Sequence, residues 1–225
     1  KQKDVFFILS ILLSVLLLDK LHLLGIIIME LGGIAVAKTD HKIKWITRTA
    51  LCTALVLLVQ MIGKLLPAGA VIAGPFSLNQ LITGSLVNLV LILAAASVSA
   101  WSGVTCGVIS SILAALLGMT PVPFIVPAIA LGNAVIAVAA WFFFKELKGT
   151  GMRVTGVVLG AAAKCAVLWL TVPALLRILP DIPSKQVQML SVMFSWPQFV
   201  TAIIGGILAL TVYPALCRSF DGHMR

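Results

Sequence analysis

The sequence predicts an all-α fold, a polytopic bundle of membrane-spanning helices. Three observations carry that prediction. Of the 225 residues 61% are hydrophobic and only 10% are charged, and the mean hydropathy is +1.16, far from the balance of a water-soluble domain. The apolar residues fall into runs of about 20, the length a helix rising about 1.5 Å per residue needs to cross about 30 Å of hydrocarbon. The 16 Lys and Arg that give a formal charge of +9 lie mostly between or beside those runs, so the excess reads as topology and not as nucleic-acid binding.

Six spans are expected from residue 43 onward. The first, Ile43 to Leu66, follows His41, Lys42, Lys44 and Arg48 and ends at the loop "PAGAVIAGPFS". The second runs from about Leu78 to Val98 and turns at Ser99 to Ser102 into a third, Gly103 to Gly118. Pro121, Pro123 and Pro127 then break the chain, because proline lacks the N–H a helix interior requires. A fourth span covers about Phe124 to Phe144, the basic loop "KELKGTGMR" follows, and a fifth covers Val154 to Leu176. After "RILPDIPSKQ" a sixth runs from Val187 to Leu216, leaving residues 219–225 as a cytoplasmic tail. Lys42, Lys44, Arg48, Lys145, Lys148, Arg153 and Arg218 share one side of this topology, which the positive-inside rule assigns to the cytoplasm. Lys64, Arg177 and Lys185 occupy the other.

Residues 1–42 form an additional hydrophobic segment, interrupted by Asp19, Lys20 and His22. A tilted span from about Val5 to Ile28 with its N-terminus outside is the first expectation, a shallow interfacial hairpin the second. A cleavable leader is not expected, since no small-residue cleavage site follows the apolar run.

Chemistry-bearing residues are sparse. Of seven acids only Glu146, Asp181 and Asp221 fall within residues 43–225, all in expected loops or tails. Buried carboxylates for an ion relay and the residue sets of an intramembrane protease are therefore missing, so no catalytic residues are expected. Cys52, Cys106, Cys165 and Cys217 lie far apart without a CxxC, and no His or acid cluster offers a metal site. No cofactor is expected.

Small residues recur at helix-packing intervals: Gly103, Gly107, Ser111 and Ala115 on the third span, Gly156 and Gly160 on the fifth, Ala50 and Ala54 on the first. Lys164 continues the Gly156/Gly160 row at i+4, so it belongs on the same face, pointing into the bundle. It lies roughly 15 Å from either end of its span, too far for its stem to snorkel. A substrate-facing role as counter-charge for an anionic or strongly polar group is expected, against a structural lysine bonded to helix carbonyls. Gln80, Asn79 and Thr83 on the second span, Asn133 on the fourth, and Trp196 and Gln198 in "SWPQ" could line the same cavity, with an aromatic and amides suited to a flat heterocycle. Helix-to-helix hydrogen bonding is the competing reading, favoured for the deeper Asn88 and Asn133. An interfacial aromatic belt competes for Trp196, Trp45 and Trp101.

The phrases "TRTALCTALVLLVQ", "LITGSLVNLVLILAAASVSAWSGVTCGVISSILAALLG", "PFIVPAIALGNAV" and "FSWPQFVTAIIGGILAL" occur in that order. Residues 43–218 thereby resemble the substrate-binding S component of bacterial energy-coupling factor (ECF) transporters. Residues 1–42 depart from the usual six-helix pattern.

The resemblance implies a multi-pass protein of the bacterial cell membrane, with both ends of its core in the cytoplasm, that binds a vitamin-like micronutrient from outside. It implies no enzymatic activity. A separate coupling subunit and two ATPase subunits would energise transport, and the S component would topple in the bilayer to release substrate inward. Ala50 and Ala54 match the AxxxA motif that contacts the coupling subunit, Leu66 to Leu78 matches a lid, and the last three spans would contribute to binding. The chain carries no Walker A sequence of its own. An autonomous facilitator and a non-transporting scaffold are the alternatives. Riboflavin, thiamine precursors, pantothenate, folate, queuosine precursors and a metal chelate all stay open as substrates.

Overall fold

The computed structural model describes residues 41–65, 71–73, 76–120, 122–147, 149–178 and 183–222. Of the additional segment expected over residues 1–42 only His41 and Lys42, in the first described helix, are described; the rest of it and most of the expected lid lie outside the described residues.

Among the described residues seven α-helices follow one another: α1 (His41–Leu65), α2 (Leu78–Ser97), α3 (Ala100–Leu116), α4 (Val126–Trp141), α5 (Thr150–Arg177), α6 (Ser184–Met193) and α7 (Trp196–Gly222). Between α1 and α2 a small antiparallel hairpin pairs β1 (Val71–Ala73) with β2 (Phe76–Ser77). A 3₁₀ turn at Pro123–Ile125 leads into α4, and a π-helical turn at Phe142–Glu146 extends it. Among the described residues five segments are long and apolar enough to cross a membrane: α1, α2, Pro123–Glu146, α5, and α6 with α7 together. The third expected span is the shorter α3, 17 residues or about 25 Å of helix.

The sixth expected span is two helices, because the chain unwinds at Phe194 and Ser195. Pro197 explains the placement. Its missing N–H is harmless only in the first turn of a helix, where the amides have no intrahelical acceptor. A continuous span would put that proline in the helix interior.

Polar capping and small residues set the packing. Ser77 Oγ accepts from the Gln80 amide at the start of α2, and Ser99 Oγ accepts from the Ser102 amide at the start of α3. The indole N–H of Trp45 donates to that same Ser99 hydroxyl at 2.9 Å, and Thr49 and Ser102 share a hydrogen bond at 2.8 Å. These contacts fasten one end of α1 to the α2–α3 turn; Lys64 Nζ, donating to the Gly118 carbonyl at 3.0 Å, fastens the other end near the close of α3.

The broadest helix contact joins α2 to α7. A β-carbon on Gly205 would lie 2.5 Å from the Ser85 carbonyl oxygen and 2.7 Å from Asn88 Cβ, so only glycine permits this approach. Antiparallel α4 and α5 pack in order along their length. Gly156 faces Phe143, Gly160 faces Ala139, and Leu168 closes over Gly132.

Two apolar clusters result. One runs through α1, α2, α4, α5 and α7, and includes Val56, Leu91, Ile92, Ile136, Ala161 and Ala202. The other fills the opposite half of α5, where Leu168, Val172 and Leu176 meet Ile125, Leu190 and Phe194. Lys164 lies one turn before Leu168, at the boundary between them.

Candidate functional site

Lys164 is buried, with 4% of its surface exposed. The Gly156/Gly160/Lys164 row runs along α4, as the i+4 spacing requires, and it delivers the ammonium to a point where α2, α4 and α5 meet. Lys164 Nζ donates to Asn88 Oδ1 at 2.6 Å and to Asn133 Oδ1 at 2.8 Å. Both partners are neutral. The lysine is thus bonded to side-chain amides and not to helix carbonyls.

The amides are oriented by a further layer. Asn133 Nδ2 donates to Ser111 Oγ at 3.1 Å, and Ser111 Oγ donates to the Gly107 carbonyl at 2.7 Å. A β-carbon on Gly107 would fall 2.8 Å from Asn133 Cβ, so the small-residue row of α3 is what brings Ser111 within reach. Asn88 Nδ2 points to Thr201 Oγ1 at 3.5 Å, and Thr201 Oγ1 donates to the Gln198 carbonyl at 3.1 Å. Each amide therefore has its oxygen turned to the ammonium and its nitrogen turned to a hydroxyl, the arrangement a fixed cation requires.

A second polar group gathers where α6 gives way to α7. The Met193 carbonyl accepts from Gln80 Nε2 at 3.2 Å and from Gln198 Nε2 at 3.4 Å. The neighbouring Ser195 carbonyl accepts from Cys165 Sγ at 3.3 Å. Side chains from α2, α5 and α7 thus bond carbonyls at the break: that of Met193, whose i+4 residue Pro197 has no N–H to give it, and that of Ser195, which also accepts from the Gln198 amide at 3.0 Å. Broken helices within a membrane are tolerated where such partners exist, and they commonly border binding sites in transporters. Gln80 Oε1 is buried here with no hydrogen-bond partner.

The sequence-predicted residues therefore separate into three places. Lys164 and Asn133 are together, joined by Asn88, which the sequence reading assigned to helix packing. Gln80 and Gln198 are together at the helix break, beside Trp196, which is 46% exposed. Asn79 and Thr83 face α1: Asn79 Nδ2 donates to the Gly63 carbonyl and Thr83 Oγ1 donates to Asn79 Oδ1 at 3.0 Å. The Met193 and Ser195 carbonyls were missed, since main-chain groups leave no signature in composition. "SWPQ" held the only signal, a proline of the kind favoured in a first helical turn.

On α1, Ala50 and Ala54 are exposed, with Ile46, Leu58, Met61 and Leu65 continuing the same outward stripe. Among the described residues no group of three His, Cys, Asp or Glu could hold a metal ion.

Comparison with known protein families matches residues 44–217 to the model described as "ECF transporter, substrate-specific component". No curated protein and no solved structure matches the chain.

Proposed function

Because the chain belongs to the ECF transporter substrate-specific component family, a family of membrane transporter subunits, we propose that it binds a small, vitamin-like organic molecule with high affinity. Its substrate is polar or anionic and is held by Lys164. The observation that carries this reading is the buried ammonium bonded to two neutral amides. Burying a cation without an anionic partner is costly, and a ligand carboxylate would supply that partner when bound. Asn88 and Asn133 hold the ammonium in place until then. Gln80, Gln198 and Trp196 contribute from the helix break, and Asn79 and Thr83 brace that wall against α1.

Transport is energised by other chains, a coupling membrane subunit and two ATPase subunits. Ala50 and Ala54 form the docking face for the coupling subunit, and their exposure among apolar neighbours on α1 supports that role. The protein lies in the bacterial cell membrane with the Lys145 and Arg153 end of the bundle in the cytoplasm, as the distribution of basic residues favours.

Reconstitution tests the division of labour. Vesicles containing this chain alone should bind a candidate vitamin without accumulating it, and should accumulate it once the coupling and ATPase subunits are added with ATP. Accumulation by the chain alone would make it an autonomous transporter; absence of any small-molecule binding would make it a scaffold.

A further inference from the structure

Resting on the binding role proposed above, the hydrogen-bonding inventory of the site restricts its ligand further. Lys164 has three N–H donors, and Asn88 and Asn133 take two. One remains for a ligand. The nitrogens and hydroxyls around the triad are already joined to one another.

At the helix break the unmet requirement has the opposite sign. Gln80 spends its Nε2 on the Met193 carbonyl, and Gln198 Nε2 reaches the same oxygen. Gln80 Oε1 is left buried as an acceptor with no donor, a state that a donor on the ligand would relieve. Gln60 Oε1 is also buried and unpartnered, but it belongs to α1, on the row that carries Thr53 and Lys64, and is not among the groups joined to Lys164 or to the break.

The two requirements are a fixed distance apart. Gln80 and Asn88 lie eight residues apart on α2, about 12 Å at helical rise, and Asn88 touches the ammonium. On α5 one turn beyond Lys164, Leu168 shares a buried apolar cluster with Phe194 of the break.

We infer that the ligand is an elongated acid: an anionic oxygen at one end meets Lys164, an N–H or O–H donor about two helical turns away meets Gln80, and a weakly polar middle lies against Leu168 and Phe194. Simple carboxylates satisfy only half of this pattern, and neutral donors only the other half.

Thermal unfolding of the detergent-purified chain with 8-hydroxyoctanoate, octanoate and 1,8-octanediol separates these cases. The hydroxy acid should raise the midpoint by about 3–6 °C at ten times its dissociation constant, more than octanoate or the diol. Gln80→Met should abolish the advantage of the hydroxy acid over octanoate, read as the difference between the two midpoint shifts within that variant. Equal responses to the two acids in the natural sequence, persistence of the advantage in Gln80→Met, or no response to the hydroxy acid would each overturn the inference. So would a co-purifying molecule without an acid or without a donor, an outcome that leaves the binding role itself intact. The binding role fails separately, when no small molecule co-purifies and none stabilises the chain.

Discussion

Lys164 Nζ lies 2.6 Å from Asn88 Oδ1, a hydrogen bond between residues 76 positions apart that ties α5 to α2 in the interior of the bundle. With Asn133 as the second acceptor at 2.8 Å, the ammonium joins three helices. Charge-assisted hydrogen bonds contribute about 1.5–3 kcal/mol each, so the triad is energetically coupled as well as adjacent.

A double-mutant cycle measures that coupling. Asn133→Leu leaves the buried ammonium with one acceptor and should destabilise the chain by about 2–4 kcal/mol. The same substitution in a Lys164→Met background should cost at least 1.5 kcal/mol less. Equal costs in the two backgrounds, read from unfolding in detergent, would mean that the lysine and Asn133 do not interact.

Gly205 controls the position of Asn88. A β-carbon at Gly205 meets the α2 backbone and Asn88 Cβ inside contact distance, so Gly205→Ala should push α2 from α7 and cost about 1–3 kcal/mol. Ligand affinity should fall along with stability, because Asn88 moves relative to Lys164. A variant of unchanged stability and affinity would show the α2–α7 approach to be looser than described.

Ala50 and Ala54 face outward, away from the triad. Replacing both with Leu should leave ligand affinity within about twofold while lowering ATP-dependent uptake by the assembled transporter at least tenfold, since bulky side chains prevent close helix approach. Loss of binding in the isolated double variant would place this face in the substrate site.

The fold was largely legible in residues 43–217, because apolar runs of membrane length and prolines at their ends leave few alternatives. The inward direction of Lys164 followed from a helical period of 3.6, which aligns it with Gly156 and Gly160. Which side chains would meet it did not follow. Asn88 and Asn133 come from helices whose relative rotation depends on Gly107 and Gly205, and a single sequence does not encode rotation in any local pattern. The break at Phe194 and Ser195 was hidden for another reason: residues on both sides of it are apolar, so hydropathy reads straight through. Only Pro197 marks it, and its consequence, two carbonyls received by Gln80, Gln198 and Cys165, belongs to the main chain.

The most direct test is mass spectrometry of small molecules released from the purified chain, comparing the natural sequence with Lys164→Met after both elute as folded, monodisperse protein. An organic acid released by the first and missing from the second is the expected result, with Lys164 as its counter-charge. The same compound recovered in equal amount from both proteins would contradict it, and would leave the lysine as a structural link among α2, α4 and α5.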